Sequence, residues 1–493
     1  MLDYHALAPD LIIAGTVLAV LGADLFLPQE RKWWSAVIGI FGLTLALIPI
    51  FTLAVDDSSL RSMFGGSYVI DDFALVLKTF FIITGYVVLL MSVSYIESDR
   101  YYQGEYYFLV LASLLGGMVM ASSRDLITLF VGLELVSGPA FLLAGWRKGD
   151  AKSNEAALKF FIIGVLSAAI LLYGMSLVYG MTGGLTFEEI RAGSVTVSDE
   201  PVFVLGILLV LVGFGFKMSA VPFHFWAPDT YEGAPTPVTA YLSVGSKAAG
   251  FVGVLLVSYL AFAESPEIWG PALWILAVLS MVVGNLVALR QENLVRLLAY
   301  SSIAHAGFML VPFAAASLLD SGDLEKAFAA TLSYILIYGM MNLGAFAVII
   351  AGARRVGSGQ LRDWAGLGSY APGLGVLLTL FFFSLAGIPP LAGWFAKFVM
   401  FQAVLQDANG WTVALAAIAA VNAVIALYYY AKVVKGVWMD PVPDSVNPKG
   451  VPGRVAPSLG LALGILAFGV ILAGVYPSVI AEFTEAASFL AGG

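Results

Sequence analysis

The chain of 493 residues contains no cysteine, which excludes disulfides, thiolate-held zinc and any iron–sulfur cluster bound by this polypeptide. Electrons, if the protein serves an electron-transfer reaction, travel elsewhere. Charge is also scarce: 12% of residues are charged and 60% are hydrophobic. Apolar runs of about twenty residues, the length a helix needs to cross hydrocarbon, recur along nearly the whole chain. The composition is that of an all-α integral membrane protein. Histidine is rare, and the two in apolar segments, His224 and His305, have no acids or thiols near them that would suit a metal, so no metal site is expected. The formal net charge of −9 comes mostly from acids in loops, and nothing forms a basic patch suited to nucleic acid. The first apolar run, Leu11 to Leu27, lacks a basic leader and a small-residue cleavage site and is expected to stay as a helix.

What is present is a series of about fourteen spans, expected near 10–27, 33–54, 72–95, 106–122, 126–145, 157–180, 202–220, 238–262, 271–289, 294–317, 326–351, 372–405, 411–435 and 456–476. The longest connections, 181–201 and 436–455, hold Gly, Pro and charge without apolar periodicity, so no soluble domain is expected. With both termini on the outer side, fourteen basic residues fall in inner connections: Arg31, Lys32, Arg100, Arg147, Lys148, Lys152, Arg290, Arg296, Arg354, Arg355, Arg362, Lys435, Lys449 and Arg454. Arg61, Arg124, Arg191 and Lys326 fall outside. This asymmetry follows the positive-inside rule and supports an even helix count, because one missed span would scramble it.

The remaining six of the 24 basic residues lie within spans: Lys78, Lys159, Lys217, Lys247, Lys397 and Lys432. A cation in hydrocarbon is costly unless it snorkels to water or finds a partner. Lys432 and Lys159 are close enough to helix ends to snorkel, and Lys78, two turns into its span, is compatible with either role. Lys247 lies deep in its span, and Lys217 and Lys397 stand beside helix breaks, so these three point to function. The deep acid is Glu134 in "LFVGLELVSGPAFLL"; Asp24, a turn from a helix end, is expected to face the headgroups. A carboxylate near a lysine can stay ionised in the membrane, so Glu134 and Lys217 make more sense as a pair.

Two short matches recur at nearly equal offsets. "LLYGM" at 171–175 returns as "LIYGM" at 336–340, and "AVPFHFWA" at 220–227 aligns with "IPPLAGWF" at 388–395, pairing Pro222 with Pro390 and Trp226 with Trp394. Each match lies five helices from its partner, and an odd number of crossings reverses direction. The expected architecture is two inverted five-helix repeats, helices four to eight and nine to thirteen, with breaks in helices seven and twelve. The breaks fall at Pro222 and at Pro389 and Pro390. Broken helices at matching positions of inverted repeats supply polar groups near the midplane. The domain boundaries implied are 1–105, 106–262, 263–436 and 437–493.

Burial can bring a lysine's proton affinity down towards neutrality, and a carboxylate at about 4 Å opposes that shift by about 4 kcal/mol in an effective dielectric of 20, so opening such a pair works as a switch. His224 and His305, each able to donate and accept, could bridge waters between lysines.

At this point the residues resemble a family. Glu134 in the fifth helix, Lys217 with Pro222 and His224 in a broken seventh, Lys247 in the eighth and Lys397 beyond a broken twelfth are similar to the antiporter-like membrane subunits of respiratory complex I. The start "LAPDLII", fourteen spans and a lysine in the twelfth helix fit the subunit N type best. The resemblance implies proton translocation by a subunit of an NADH:quinone oxidoreductase. Glu134 would be the switch carboxylate, Lys217 its partner, Lys247 the central relay and Lys397 the exit-side relay, with Lys159 an accessory lysine. It implies no cofactor in this chain, and FMN, iron–sulfur clusters and quinone in other subunits. Implied neighbours are the M-type and K-type subunits, the lateral helix of the L type and the lipid of a bacterial inner membrane. A subunit of a multi-subunit cation/proton antiporter is the alternative on a similar fold. An inert scaffold is disfavoured, since it has no need of mid-membrane lysines.

Overall fold

A computed structural model of the chain describes residues 2–55, 60–97, 104–316, 321–406, 408–446 and 455–487. Arg100, Lys449 and Arg454 of the charge partition lie outside the described residues. The first six helices are α1 (Tyr4–Phe26), α2 (Trp34–Val55), α3 (Asp72–Glu97), α4 (Glu105–Ser122), α5 (Leu126–Ala144) and α6 (Ala151–Thr182). The short α7 (Phe187–Ser194) precedes α8 (Pro201–Met218) and α9 (Trp226–Gly233), the two pieces around the first break. Next come α10 (Thr236–Tyr241) and α11 (Lys247–Leu256), which run as one span, Thr236–Ala261, with π-helical turns at Leu242–Ser246 and Val257–Ala261. They are followed by α12 (Pro266–Ala288), α13 (Leu294–Ala316), α14 (Ser321–Val356) and a single turn, α15 (Leu367–Tyr370). The second break separates α16 (Pro372–Ala386) from α17 (Ala392–Leu405), before α18 (Gly410–Met439), α19 (Pro457–Val475) and α20 (Ser478–Ala486).

Thirteen helices among the described residues are long and apolar enough to cross a membrane, and α16 with α17 supply the broken span expected at 372–405. Burial sorts them. The span Thr236–Ala261 is buried throughout, whereas α6 and α18 turn large apolar side chains such as Leu166, Leu172, Val421 and Val424 outward. Outward apolar faces suit lipid, and the fully enclosed span forms the axis around which polar groups can be held.

Local sequence signals start the helices at defined points. Asp125 caps α5 by accepting from the backbone N–H groups of Ile127 and Thr128 at 2.8 and 2.9 Å, and Asp150 caps α6 through Lys152 N at 2.9 Å. These caps fix the depth of Glu134 and Lys159. At one end of the bundle, Arg124 N donates to Ser67 O at 2.8 Å and Phe187 N to Arg124 O at 2.9 Å. Arg61 pairs with Asp3 and Arg191 with Glu264, each at 2.7 Å, so three of the four expected outer basic residues gather at that end.

Three features depart from the reading of the sequence. A two-stranded hairpin, Arg61–Met63 against Tyr68–Ile70, interrupts the all-helical pattern. The connection 181–201 contains α7, started by a capping box in which Thr186 and Glu189 satisfy each other's backbone. The N–H groups of Thr186 and Leu185 hold the Glu189 carboxyl below its usual range. Asp24 does not face headgroups: it is 5% exposed, pairs with Lys32 at 3.1 Å and accepts from Gly104 N at 2.7 Å, joining the turn after α1 to the start of α4.

Candidate proton-relay site

Helix α8 ends one residue after Lys217. Ser219, at φ +57°, turns the chain out of the helix, and Ala220 N closes onto Gly215 O at 2.9 Å. The peptide bond before Pro222 is cis, as is the one between Pro389 and Pro390 in the second break. Lys217 is 4% exposed. Its Nζ donates to the hydroxyl of Ser137 and lies 5.5 Å from the ring of Phe141 and 5.3 Å from that of Phe216. Aromatic faces and a hydroxyl thus replace water around the ammonium.

The expected direct pair with Glu134 is not formed. Glu134 sits one turn before Ser137 on α5, within Coulombic reach of Lys217, and its Oε1 is buried without a hydrogen-bond partner. Ser137, three residues on and on the same helix face as Glu134, takes the amine instead. An unengaged carboxylate next to a hydroxyl-bound lysine is an arrangement that can close or open without unfolding anything.

Lys247 opens α11 straight after the π-helical turn, a distortion frequent at functional positions. It is 2% exposed and donates to Ser302 of α13 twice, to the carbonyl at 2.7 Å and to Oγ at 2.5 Å. One turn on, His305 holds Tyr334 OH at Nδ1, 3.0 Å, and Tyr430 OH at Nε2, 3.2 Å. A further turn on, the ring of Phe308 lies 5.3 Å from Lys397 Nζ. Lys397 itself donates to the carbonyls of Ala386 at 2.7 Å and Leu385 at 3.3 Å, the last turn of α16, whose carbonyls the break leaves free.

The other expected residues divide. His224 is buried against Phe225, with Nδ1 unpartnered, and bonds neither lysine. Lys159, 42% exposed, pairs with Glu155 at 2.7 Å and Asp229 at 2.6 Å. Lys432 is exposed, as snorkelling requires. Among the described residues no three His, Cys, Asp or Glu side chains converge as a metal would need.

Sequence reasoning missed the neutral partners Ser137, Ser302, Tyr334 and Tyr430, which a search at three-residue spacing from Glu134 and His305 would have begun to find. It also missed a buried ion pair. Lys78, fully buried, bonds Asp10 of α1 and, at 2.9 Å, Tyr68 OH of the hairpin.

Residues 123–425 match the model of the NADH:quinone oxidoreductase/Mrp antiporter transmembrane family. NADH-quinone oxidoreductase subunit N of Trichlorobacter lovleyi is 39% identical over 492 residues, covering 99% of this chain and 97% of that protein. The chain belongs to this family. A complex I structure from Thermus thermophilus superposes a chain at TM-score 0.77 with 31% identity, covering 96% of this chain and 98% of that one. In the Mrp complex of Dietzia sp. DQ12-45-1b a chain reaches TM-score 0.84 at 20% identity, covering 99% of this chain and 97% of that one, a likeness of fold. The stretch matched by the family model runs from the start of α5 into α18 and contains Glu134, Lys159, Lys217, Lys247, His305 and Lys397. Asp10, Tyr68 and Lys78 lie outside it.

Proposed function

We propose that the chain is the proton-translocating, subunit N-type membrane component of an NADH:quinone oxidoreductase, with the redox chemistry in partner subunits. The observation that carries this reading is the succession along α13. Ser302 receives Lys247, His305 is held between two tyrosines, and Phe308 faces Lys397, so one helix spans the distance between two buried lysines. Glu134 and Lys217 form the switch at one end of the line, and Lys397, on the carbonyls of the second break, stands at the other.

A proton loaded on Lys217 is released when Glu134 disengages, because the desolvated ammonium then loses its counter-charge. Lys247 and His305 pass it on through hydroxyls and water. Glu134 Oε1, His224 Nδ1, Tyr231 OH, Tyr338 OH and Asn342 Oδ1 are buried without a hydrogen-bond partner, and buried polar groups in native proteins bind water where protein supplies no partner. The two breaks, with Ser219 and Gly387 both in left-handed conformation and both carrying a lysine, support the inverted repeat of helices 106–262 and 263–436. The charge partition supports both termini on the outer side of a bacterial inner membrane. M-type and K-type subunits and the lateral helix of an L-type subunit are the neighbours this reading implies; FMN, iron–sulfur clusters and quinone belong to other subunits.

The test is purification in mild detergent followed by reconstitution in vesicles. The chain should co-purify with an NADH-oxidising assembly, and Lys247→Met should abolish acidification driven by NADH while oxidation by an artificial acceptor survives. Purification with a cation/proton exchanger lacking NADH oxidation would overturn the reading in favour of an antiporter.

A further inference from the structure

The short helix α9, where the chain resumes after the first break, carries two carboxylates, Asp229 and Glu232, each held by one cation from α6 and one from α13. Lys159 of α6 donates to Asp229 Oδ2 at 2.6 Å and Arg296 of α13 to Oδ1 at 2.9 Å. Around this hub, Lys159 also meets Glu155 at 2.7 Å, Arg296 meets Glu232 at 2.9 Å, and Lys152 meets Glu232 at 3.3 Å. Three cations face three acids in one network.

Lys159 and Asp229 are 42% and 35% exposed, so their pairing contributes little to stability. What it fixes is where a positive charge stands. Phe160, next to Lys159, packs on Trp226 at 4.4 Å and on Phe141 at 4.8 Å, and Phe141 is the ring that faces Lys217. Lys159 is therefore a neighbour of the switch. Its ammonium would act on Lys217 if no carboxylate compensated it.

We propose that Asp229 is a positioning residue of the relay. It holds Lys159 beside the first break, completes its neutralisation with Glu155, and through Arg296 ties that break to α13, the helix that receives Lys247. Movement of α9 then changes the charge felt at Lys217 and the seat of α13 together. This rests on the relay reading above.

The prediction is a suppression. Asp229→Asn removes one of the two carboxylates on Lys159 and leaves three cations facing two acids in the network, so a surplus positive charge acts on Lys217. NADH-driven pumping per electron pair by the assembled Asp229→Asn complex should fall severalfold. Asp229→Glu, which keeps the carboxylate, should retain most of it. Adding Lys159→Met to Asp229→Asn should restore pumping to within about threefold of the Lys159→Met single variant, which additive structural defects cannot do. A double variant no better than Asp229→Asn overturns the proposal. So does failure of Asp229→Asn to assemble without repair by Lys159→Met, since the residue is then an anchor. Lys217→Ala, run alongside, separates the two levels: loss of pumping there leaves the relay reading standing whatever the suppression shows, and normal pumping removes both.

Discussion

Replacing Gly393 by alanine puts a Cβ 1.7 Å from the carbonyl oxygen of Ser384 and 2.8 Å from the sulfur of Met341. Here the two halves of the broken helix cross, and Gly393 N donates to Ser384 Oγ at 3.1 Å. The Ser384 oxygen is backbone in the last turn of α16 and cannot swing away. Clearing the contact to 3.0 Å requires the start of α17 to move by about 1.3 Å. Lys397 lies four residues on, and its 2.7 Å hydrogen bond to Ala386 O would stretch to about 4 Å, beyond any hydrogen bond. A hydrogen bond to a charged group contributes about 1.5–3 kcal/mol, or roughly 10- to 150-fold in an equilibrium. The Gly393→Ala complex should therefore assemble but pump between one and two orders of magnitude more slowly, a loss of the size expected for a misplacement of about 1 Å. Gly373→Ala in α16, where a Cβ meets nothing within 4 Å, is the control. Acidification of reconstituted vesicles, normalised to NADH oxidation by an artificial acceptor, gives the ratio. Pumping by Gly393→Ala equal to that of Gly373→Ala would refute the claim that the crossing of the two half-helices sets the position of Lys397.

Lys217→Arg should assemble normally and pump poorly, because a guanidinium keeps its charge at every relevant pH; near-normal pumping would leave Lys217 a fixed charge. Glu134→Asp should keep more pumping than Glu134→Gln, since only the first retains an ionisable group, and the reverse order would remove the carboxylate from the switch. Single cysteines at 184 and 408 should label from outside and those at 150 and 357 only after permeabilisation, a clean measurement in a chain without native cysteine; outside labelling at 150 would invert the topology. Asp10→Asn or Lys78→Met alone should cost the protein about 3–5 kcal/mol by stranding a buried charge, whereas the double change to an apolar pair should cost far less; thermal unfolding of the purified complex reports the difference.

Much of this site was legible because hydrocarbon makes a lysine conspicuous. Lys217, Lys247 and Lys397 stand out by cost alone, and the breaks at Pro222 and at Pro389 and Pro390 announce themselves by residues that helices avoid. Their neutral partners do not. Serine and tyrosine occur throughout apolar helices, and only the fold selects Ser137, Ser302, Tyr334 and Tyr430 from the rest. The direct Glu134–Lys217 pair was expected from charge, and the hydroxyl of Ser137 takes its place by packing. Asp10 is inconspicuous because the apolar pattern puts the start of the first span at residue 10, whereas α1 starts at Tyr4 under an Asp3 cap and carries Pro9 inside it. That moves Asp10 nearly two turns into the helix, at the level where α3 presents Lys78. The capping box at Thr186 and Glu189 is the local signal for α7, which has no long apolar run to mark it.

The role of α13 follows from helix geometry. Ser302, His305 and Phe308 are spaced by three residues, and with 3.6 residues per turn each step of three turns the side chain back by about 60° around the axis. Over the two steps the face rotates by about 120°, which is why one straight helix can receive Lys247 from α11 with its first residue and face Lys397 of α17 with its last. Spacing by four would drift the other way, and spacing by a mixture would keep all three on the α11 side. His305, at the middle of the turn, meets tyrosines from two further helices, Tyr334 of α14 and Tyr430 of α18, and Tyr430 in turn bonds Ser301 of α13. The histidine is thereby held by both ring nitrogens, so the proposed transfer through it would need a change of partner rather than a swing of the ring. In the proposed relay the path between the two lysines would be one of exchanging hydroxyl contacts along a fixed helix, with the moving parts left to the two breaks and to the charges beside them.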